Sequence, residues 1–266
     1  MKILIELPSW LGDAVMATPA IENLINSFND ASFTVVGSIV AIEVIKDHPR
    51  VDETYELNNT YSSLFKIPKK LGKFDIFFSF RGSTRAKLLK LIIRSPRKFQ
   101  FDKDKYNQGH QVEKYNDFIN ESIKKNFNPG RLVLYSKSKF EKKENKILGI
   151  NPGASYGSAK RWYPREFAEV ISALADKYDI IIFGGPEEQK SAREIENILI
   201  KKGVKNFQNL ASLTSISELI SKINNLDLFI TGDTGPMHIA AAFQVPTICI
   251  FGPTKIEETS QWFNEK

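Results

Sequence analysis

Short apolar runs recur along the chain at regular intervals, each closed by a Gly, Pro, Ser or Asp turn. In the first half they are Lys2 to Leu7, Phe33 to Gly37, Glu53 to Leu57, Asp75 to Phe80 and Lys98 to Phe101, separated by helical or polar stretches. In the second half strands are expected at Ile147 to Asn151, Asp179 to Phe183, Asn206 to Leu210, Leu228 to Thr231 and Thr247 to Phe251. Helices are expected there near Pro164 to Lys177, Glu187 to Lys201, Ser215 to Ile223 and Pro236 to Phe243. Such alternation predicts an α/β protein with a parallel sheet wrapped by helices, and each half reads as its own doubly wound, Rossmann-like unit. Within Ala14 to Phe28, the residues Val15, Ala17, Ile21, Leu24, Ile25 and Phe28 fall at near-helical spacing; Pro19 predicts a late start or a kink. The polar stretch Ser136 to Asn145 contributes no core and predicts a linker, giving an N-terminal domain over 1–140 and a C-terminal domain over 146–266. There is no sequence repeat, low-complexity tract or coiled-coil heptad.

Length and composition fit this picture, since 266 residues that are 42% hydrophobic can bury two medium cores. No run of eighteen apolar residues occurs and Met1-Lys-Ile-Leu-Ile-Glu6 reads as a strand, so a cytoplasmic protein is expected. The single cysteine, Cys249, excludes an intrachain disulfide and reads as core packing. His48, His110 and His238 lie far apart without an HExxH pair, so metal-free chemistry, or a weakly held ion at most, is expected. Charge divides the halves: residues 1–145 carry 24 Lys+Arg against 17 Asp+Glu, and residues 146–266 carry 13 against 14. Lys66 to Lys105 holds 13 basic and 3 acidic residues, an excess that attracts nucleic acid, an anionic membrane face or a phosphorylated substrate. Phe99, Phe101 and Tyr106 interleave with it, but no nucleic-acid motif is present, so no nucleic-acid partner is expected.

Two such units facing each other would form a cleft, and open α/β sheets bind ligands outside the carboxyl ends of their strands. The first βα turn, Pro8-Ser-Trp-Leu-Gly-Asp13, lacks GxGxxG, and no GxxxxGK[ST] loop occurs, which removes ordinary NAD enzymes and P-loop ATPases. Asp13, after Gly12 at the entrance to a helix, suits either a first-turn charge or a general base. Arg81, Arg85 and Lys87 follow the fourth strand, where they can meet an anionic acceptor. In Asn151 to Trp162, small residues including Ser155 lead to Lys160, which can neutralise a diphosphate or simply be solvated. Glu188 is either a helix-start charge or an acceptor for ribose hydroxyls. Ile230-Thr-Gly-Asp-Thr-Gly-Pro-Met-His238 runs from a strand through a Gly-bracketed turn into a helix, a phosphate-cradling pattern built on Gly232, Asp233, Thr234 and Gly235. His238 either donates to a phosphate or packs. On the residues alone, an enzyme with a nucleotide site and a two-domain binding module for an anionic solute both remain open.

Together, Trp10-Leu-Gly-Asp-Ala-Val-Met-Ala-Thr-Pro19, Asn151-Pro-Gly-Ala with Ala159-Lys-Arg-Trp162, Gly184-Gly-Pro-Glu-Glu188, and Gly232-Asp-Thr-Gly-Pro-Met-His238 with Phe251-Gly-Pro-Thr254 resemble glycosyltransferase family 9, the bacterial lipopolysaccharide heptosyltransferases. Within it the chain looks most like the ADP-heptose:lipopolysaccharide heptosyltransferase II branch. The resemblance implies a GT-B fold, an N-terminal acceptor-binding domain and a C-terminal nucleotide-sugar-binding domain. It also implies inverting transfer of heptose from ADP-heptose to an inner-core heptose, with no cofactor or metal required. Asp13 would be the base and Lys160 the counter-charge to the diphosphate; Ser155, Glu188, Asp233, Thr234, Gly235, Met237 and His238 would line the donor. Gly12, Arg81, Arg85 and Lys87 would meet a phosphorylated Kdo-lipid A acceptor at the cytoplasmic face of the inner membrane. The loose acceptor loops also admit heptosyltransferase I activity on Kdo-lipid A or another family 9 sugar; another GT-B enzyme such as a nucleotide-sugar epimerase is a separate reading. Family members usually continue beyond Lys255 with a further segment and helices, one crossing back to the first domain.

Overall fold

The computed structural model describes residues 1–58, 60–136, 145–153 and 158–264. The chain divides into two compact units, Met1–Tyr135 and Ser136–Lys266. The stretch read as a linker falls at this division, and its residues 137–144 lie outside those described.

In the first unit the order is β1 (Lys2–Glu6), α1 (Leu11–Met16), α2 (Thr18–Asn26), β2 (Ser32–Gly37), α3 (Ile39–Ile45), β3 (Val51–Glu56), α4 (Tyr61–Leu71), β4 (Ile76–Ser79), α5 (Thr84–Ile92), β5 (Arg97–Gln100) and α6 (Gln111–Ile123). The strands form one parallel sheet, ordered β3-β2-β1-β4-β5. Ile3, Leu4 and Ile5 of central β1 are wholly buried, as a strand covered on both faces requires. Under α4 and α5, Leu4, Val36, Leu64, Ile67, Phe77 and Leu89 share one core.

The stretch Ala14 to Phe28 is two helices, and Pro19 is the reason. It has no N–H to bond the Val15 carbonyl, and the Thr18 hydroxyl donates to that oxygen instead at 2.7 Å. Helix α1 therefore ends at Met16, and α2 starts with Pro19 in its first turn. Helix α6 opens on a capping box: Val112 N–H donates to His110 Nδ1 at 3.2 Å, and Glu113 accepts from the His110 N–H at 2.7 Å.

The second unit repeats the scheme with β6 (Ile147–Asn151), α7 (Pro164–Leu174), β7 (Asp179–Ile182), α8 (Gln189–Lys201), β8 (Phe207–Asn209), α9 (Ile216–Asn224), β9 (Leu228–Gly232), α10 (Gly235–Ala242), β10 (Thr247–Ile250) and α11 (Ile256–Thr259). Its parallel sheet runs β10-β9-β6-β7-β8. Counted from its own first strand, this is the order of the first unit, so each unit has a topological switch point: β1/β4 in one and β6/β9 in the other. A 3₁₀ turn, Pro186–Glu188, precedes α8 where a single helix from Glu187 was expected. Among the described residues, no helix is long and apolar enough to cross a membrane.

Candidate active site

Outside the carboxyl ends of β1, β4 and β5, the first unit holds a cavity of about 660 Å³ whose lining includes Trp10, Asp13, Arg81, Lys87, Lys103 and Tyr115. Its position follows from the switch point, and its size suits a sugar-sized ligand. Asp13 sits in the first turn of α1 and is half-buried. Tyr115 of α6 donates to Asp13 Oδ1 at 3.5 Å. The tyrosine is held by ring packing: its centroid lies 5.5 Å from Phe80 and 5.0 Å from Phe101, residues that immediately follow β4 and β5. Burial pushes the Asp13 carboxyl above the usual aspartate range, while the Tyr115 hydroxyl and the Lys103 charge pull it back in part.

Beneath the cavity, Glu6 at the end of β1 is 1% exposed. Its Oε2 accepts from Ser79 Oγ at 2.6 Å, and its Oε1 stands 3.6 Å from Arg81 Nη1. The Arg81 carbonyl accepts from Gln100 Nε2 at 3.0 Å and its N–H donates to Ser79 Oγ at 3.3 Å, so both backbone and side chain of Arg81 are oriented. Burial raises the Glu6 carboxyl despite the Ser79 bond and the Arg81 and Arg85 charges.

Of the expected acceptor residues, Arg81 and Lys87 line this cavity, and Gly12 lies beside Asp13 in α1. Arg85 is engaged elsewhere. Its Nη2 donates to the Asn58 and Thr60 carbonyls and to Ser63 Oγ, tying α5 to the start of α4.

In the second unit, Lys160 closes the 3₁₀ turn Ser158–Lys160, and its Nζ lies 3.0 Å from Asp233 Oδ2. The turn runs so close to the loop after β10 that a Cβ on Gly252 would stand 2.8 Å from the Ala159 carbonyl oxygen. Asn151, at the end of β6, donates through Nδ2 to Thr234 Oγ1 at 3.0 Å and Thr231 Oγ1 at 3.3 Å, joining β6 to the β9–α10 turn.

Glu188 is buried in a cradle of small residues: a Cβ on Gly153 would lie 1.7 Å from Glu188 Cγ. Its Oε2 accepts from the Gly185 N–H at 2.7 Å, and its Oε1 has no hydrogen-bond partner among the described residues. Gly235 is the first residue of α10. Met237 and His238 are both buried in α10, and Met237 Sδ touches Cys249 Sγ at 2.9 Å. That contact places Cys249 against the core, where burial raises its thiol to about 12. Ser155 lies outside the described residues.

Sequence reasoning did not find Glu6, Ser79 or Tyr115, and it gave Asn151 a place in a motif but no role of its own. Tyr115 is separated from Asp13 by 102 positions and carries no local motif. Glu6 had a signal, an acid ending an otherwise apolar strand that the fold was bound to bury. Among the described residues, no group of three or more His, Cys, Asp or Glu side chains is arranged to hold a metal ion.

Two doubly wound units of this order are the domains of GT-B glycosyltransferases. The chain superposes on E. coli ADP-heptose lipopolysaccharide heptosyltransferase II with a TM-score of 0.82, at 22% identity, covering 98% of this chain and 88% of that one. It superposes on E. coli heptosyltransferase WaaC with ADP with a TM-score of 0.83, at 16% identity, covering 98% and 91%. In sequence it is 42% identical to lipooligosaccharide heptosyltransferase 2 of Campylobacter jejuni, over 100% of this chain and 85% of that protein. Residues 97–266 match the model of glycosyltransferase family 9 (heptosyltransferase). The chain belongs to glycosyltransferase family 9.

Proposed function

We propose that this chain transfers L-glycero-D-manno-heptose from ADP-heptose to a heptose of the lipooligosaccharide or lipopolysaccharide inner core, inverting the anomeric carbon without a metal. The similarity to relatives named heptosyltransferase 2, to E. coli ADP-heptose heptosyltransferase II and to WaaC with ADP supports the donor and the acceptor class. In this reading the protein is peripheral at the cytoplasmic face of the inner membrane, and its acceptor is a phosphorylated Kdo-lipid A already carrying heptose.

The observation that carries the chemistry is Asp13, a carboxylate with a raised pKa in a polar cavity that also holds Arg81, Lys87 and Lys103. The cations receive the acceptor's phosphate and carboxylate groups. Asp13 takes the proton from the attacking heptose hydroxyl as that oxygen bonds to the anomeric carbon. The bond from that carbon to the diphosphate oxygen breaks, and ADP leaves with its electron pair.

On the second unit, Lys160 meets the diphosphate. Asp233 orients its ammonium, which still has N–H groups for phosphate oxygens. Glu188 Oε1 is a buried acceptor suited to ribose hydroxyls. The β9–α10 turn adds Thr234 and the Gly235 backbone beside the phosphates. Met237 and His238 are buried in that helix and serve the site by packing behind the turn.

The test is transfer of heptose from ADP-heptose to heptose-primed Kdo-lipid A, read by mass. Asp13→Asn should lower kcat by about 10²–10⁴-fold while ADP binding is kept. Normal transfer by this variant sinks the assignment of the base. ADP release that needs no acceptor would mark an epimerase-like enzyme instead, and transfer to Kdo-lipid A lacking heptose would mark heptosyltransferase I activity.

A further inference from the structure

Between Leu57 and Phe101 the chain carries eleven basic residues and one acidic residue, Asp75. Helices α4 and α5 lie within this stretch and bury Leu64, Ile67 and Leu89 in their shared core. Apart from Thr84, the exposed residues described on these helices are of two kinds. Tyr61, Phe65 and Leu91 are large apolar side chains exposed at 62%, 55% and 75%. Lys66, Lys69, Lys70 and Lys87, with Arg94 just past α5, are exposed cations.

Tyr61 and Phe65 are four residues apart and therefore share one stripe of α4, with Lys69 one turn further on. An ordinary solvated helix face mixes both signs of charge and exposes few large apolar groups. Here, aromatic and leucine tips stand in a field of cations with no carboxylate on either helix. This is the chemistry that an anionic bilayer recognises: rings and aliphatic tips enter the headgroup boundary, and the lysine heads stay among the phosphates.

Helix α5 links the surface to the cavity, because Lys87 and Lys90 line the cavity that holds Asp13. A lipid whose tails remain in the membrane could thus offer its sugar end to Asp13 along the same helix. Single-stranded nucleic acid fits less well, since its binders offer a groove with stacking platforms rather than the outer face of two helices packed on a sheet.

We propose that the outer face of α4 and α5 is a docking surface for an anionic lipid bilayer. Its use in catalysis rests on the reading of a lipid-borne acceptor; the docking does not. The experiment is sedimentation of the full chain with acceptor-free vesicles, either phosphatidylcholine alone or phosphatidylcholine mixed with phosphatidylglycerol. Binding to the mixed vesicles that weakens with salt, without binding to the neutral ones, is expected. The triple variant Lys66→Gln, Lys69→Gln, Lys70→Gln should lower partitioning on the order of 100-fold, at about fivefold per cation. Phe65→Ser should lower it with every charge in place. Circular dichroism checks that both variants are folded, and both should keep wild-type transfer to a delipidated acceptor.

Wild-type protein that ignores anionic vesicles, or folded variants that bind them as wild type does, would overturn the proposal. So would tighter binding to a single-stranded oligonucleotide than to the vesicles at equal salt. Vesicle binding by a chain that transfers no heptose to any acceptor leaves the docking surface standing and tells against the transferase reading alone.

Discussion

At the scale of single residues, two buried carboxyls do different work. Asp13 is raised by burial, so the acid limb of the transfer rate should lie above the ordinary aspartate value of 3.8. The Tyr115 hydroxyl favours the charged form of Asp13. Tyr115→Phe should therefore move that limb to higher pH, with the plateau rate changed less than the rate on the limb. A limb that stays put would show that Tyr115 does not act on the base. Glu6 is also raised, from 4.5, because burial outweighs Ser79 and the two arginines. Its native state keeps a proton that the unfolded chain has released, so its contribution to stability falls as pH rises from 4.5 through its raised value. Glu6→Gln keeps the shape and removes the titration. The melting temperature of the variant relative to wild type should rise as pH increases from 4.5 and level off above the raised value of Glu6, and an unchanged difference would mean that Glu6 is not the group responsible.

At the scale of elements, the central strands β1, β4, β6 and β9 were legible because parallel strands buried on both faces read as near-continuous apolar runs, whereas the edge strands β3 and β5 carry polar residues and are at most half-buried. β6 matches its expected range, Ile147–Asn151, and the others differ by a residue or two at their ends. Pro19 announced an interruption, but the form it took depended on the Thr18 hydroxyl finding the Val15 carbonyl, a contact visible only once the turn is built. Lys160 and Asp233 were each legible as candidates, while their 3.0 Å pairing depends on a fold that brings together positions 73 apart. Tyr115 lay beyond reach, since nothing local distinguishes it from Phe118 of the same helix, which packs on the same Phe80 ring. Gly153 illustrates what an element end can hide. With a Cβ 1.7 Å from Glu188 Cγ, Gly153→Ala has to displace the glutamate that the cradle was built around. A loss of about 1–3 kcal/mol in stability is expected, as for other overpacked sites, together with weaker ADP binding. Gly130→Ala, where the added methyl meets nothing within 4 Å, is the control. Equal melting temperatures and ADP affinities for the two variants would refute the cradle.

At the scale of the whole molecule, one topology occurs twice, and the proposed function gives its two copies opposite purposes. Each unit places its switch point between its first and fourth strands, so both present loop residues at the same place in the fold. In the first unit that place holds Glu6 and Ser79 beneath a cation-lined cavity that includes Arg81 and Asp13. In the second it holds Asn151, Thr231 and Thr234, flanked by the Lys160–Asp233 pair. The charge difference between the halves follows this division, with the basic excess on the side assigned to an acidic lipid acceptor. The division has a direct consequence for the nucleotide. ADP alone should slow amide exchange around Gly185–Glu188, Lys160 and the β9–α10 turn, because bound ligand stabilises the states in which those amides are closed. The loops after β1 and β4 should exchange as they do without ligand. Protection centred on Trp10–Asp13 and Arg81–Ser83, with none at Gly232–His238, would reverse the assignment of donor and acceptor units and remove Asp13 from the role of base.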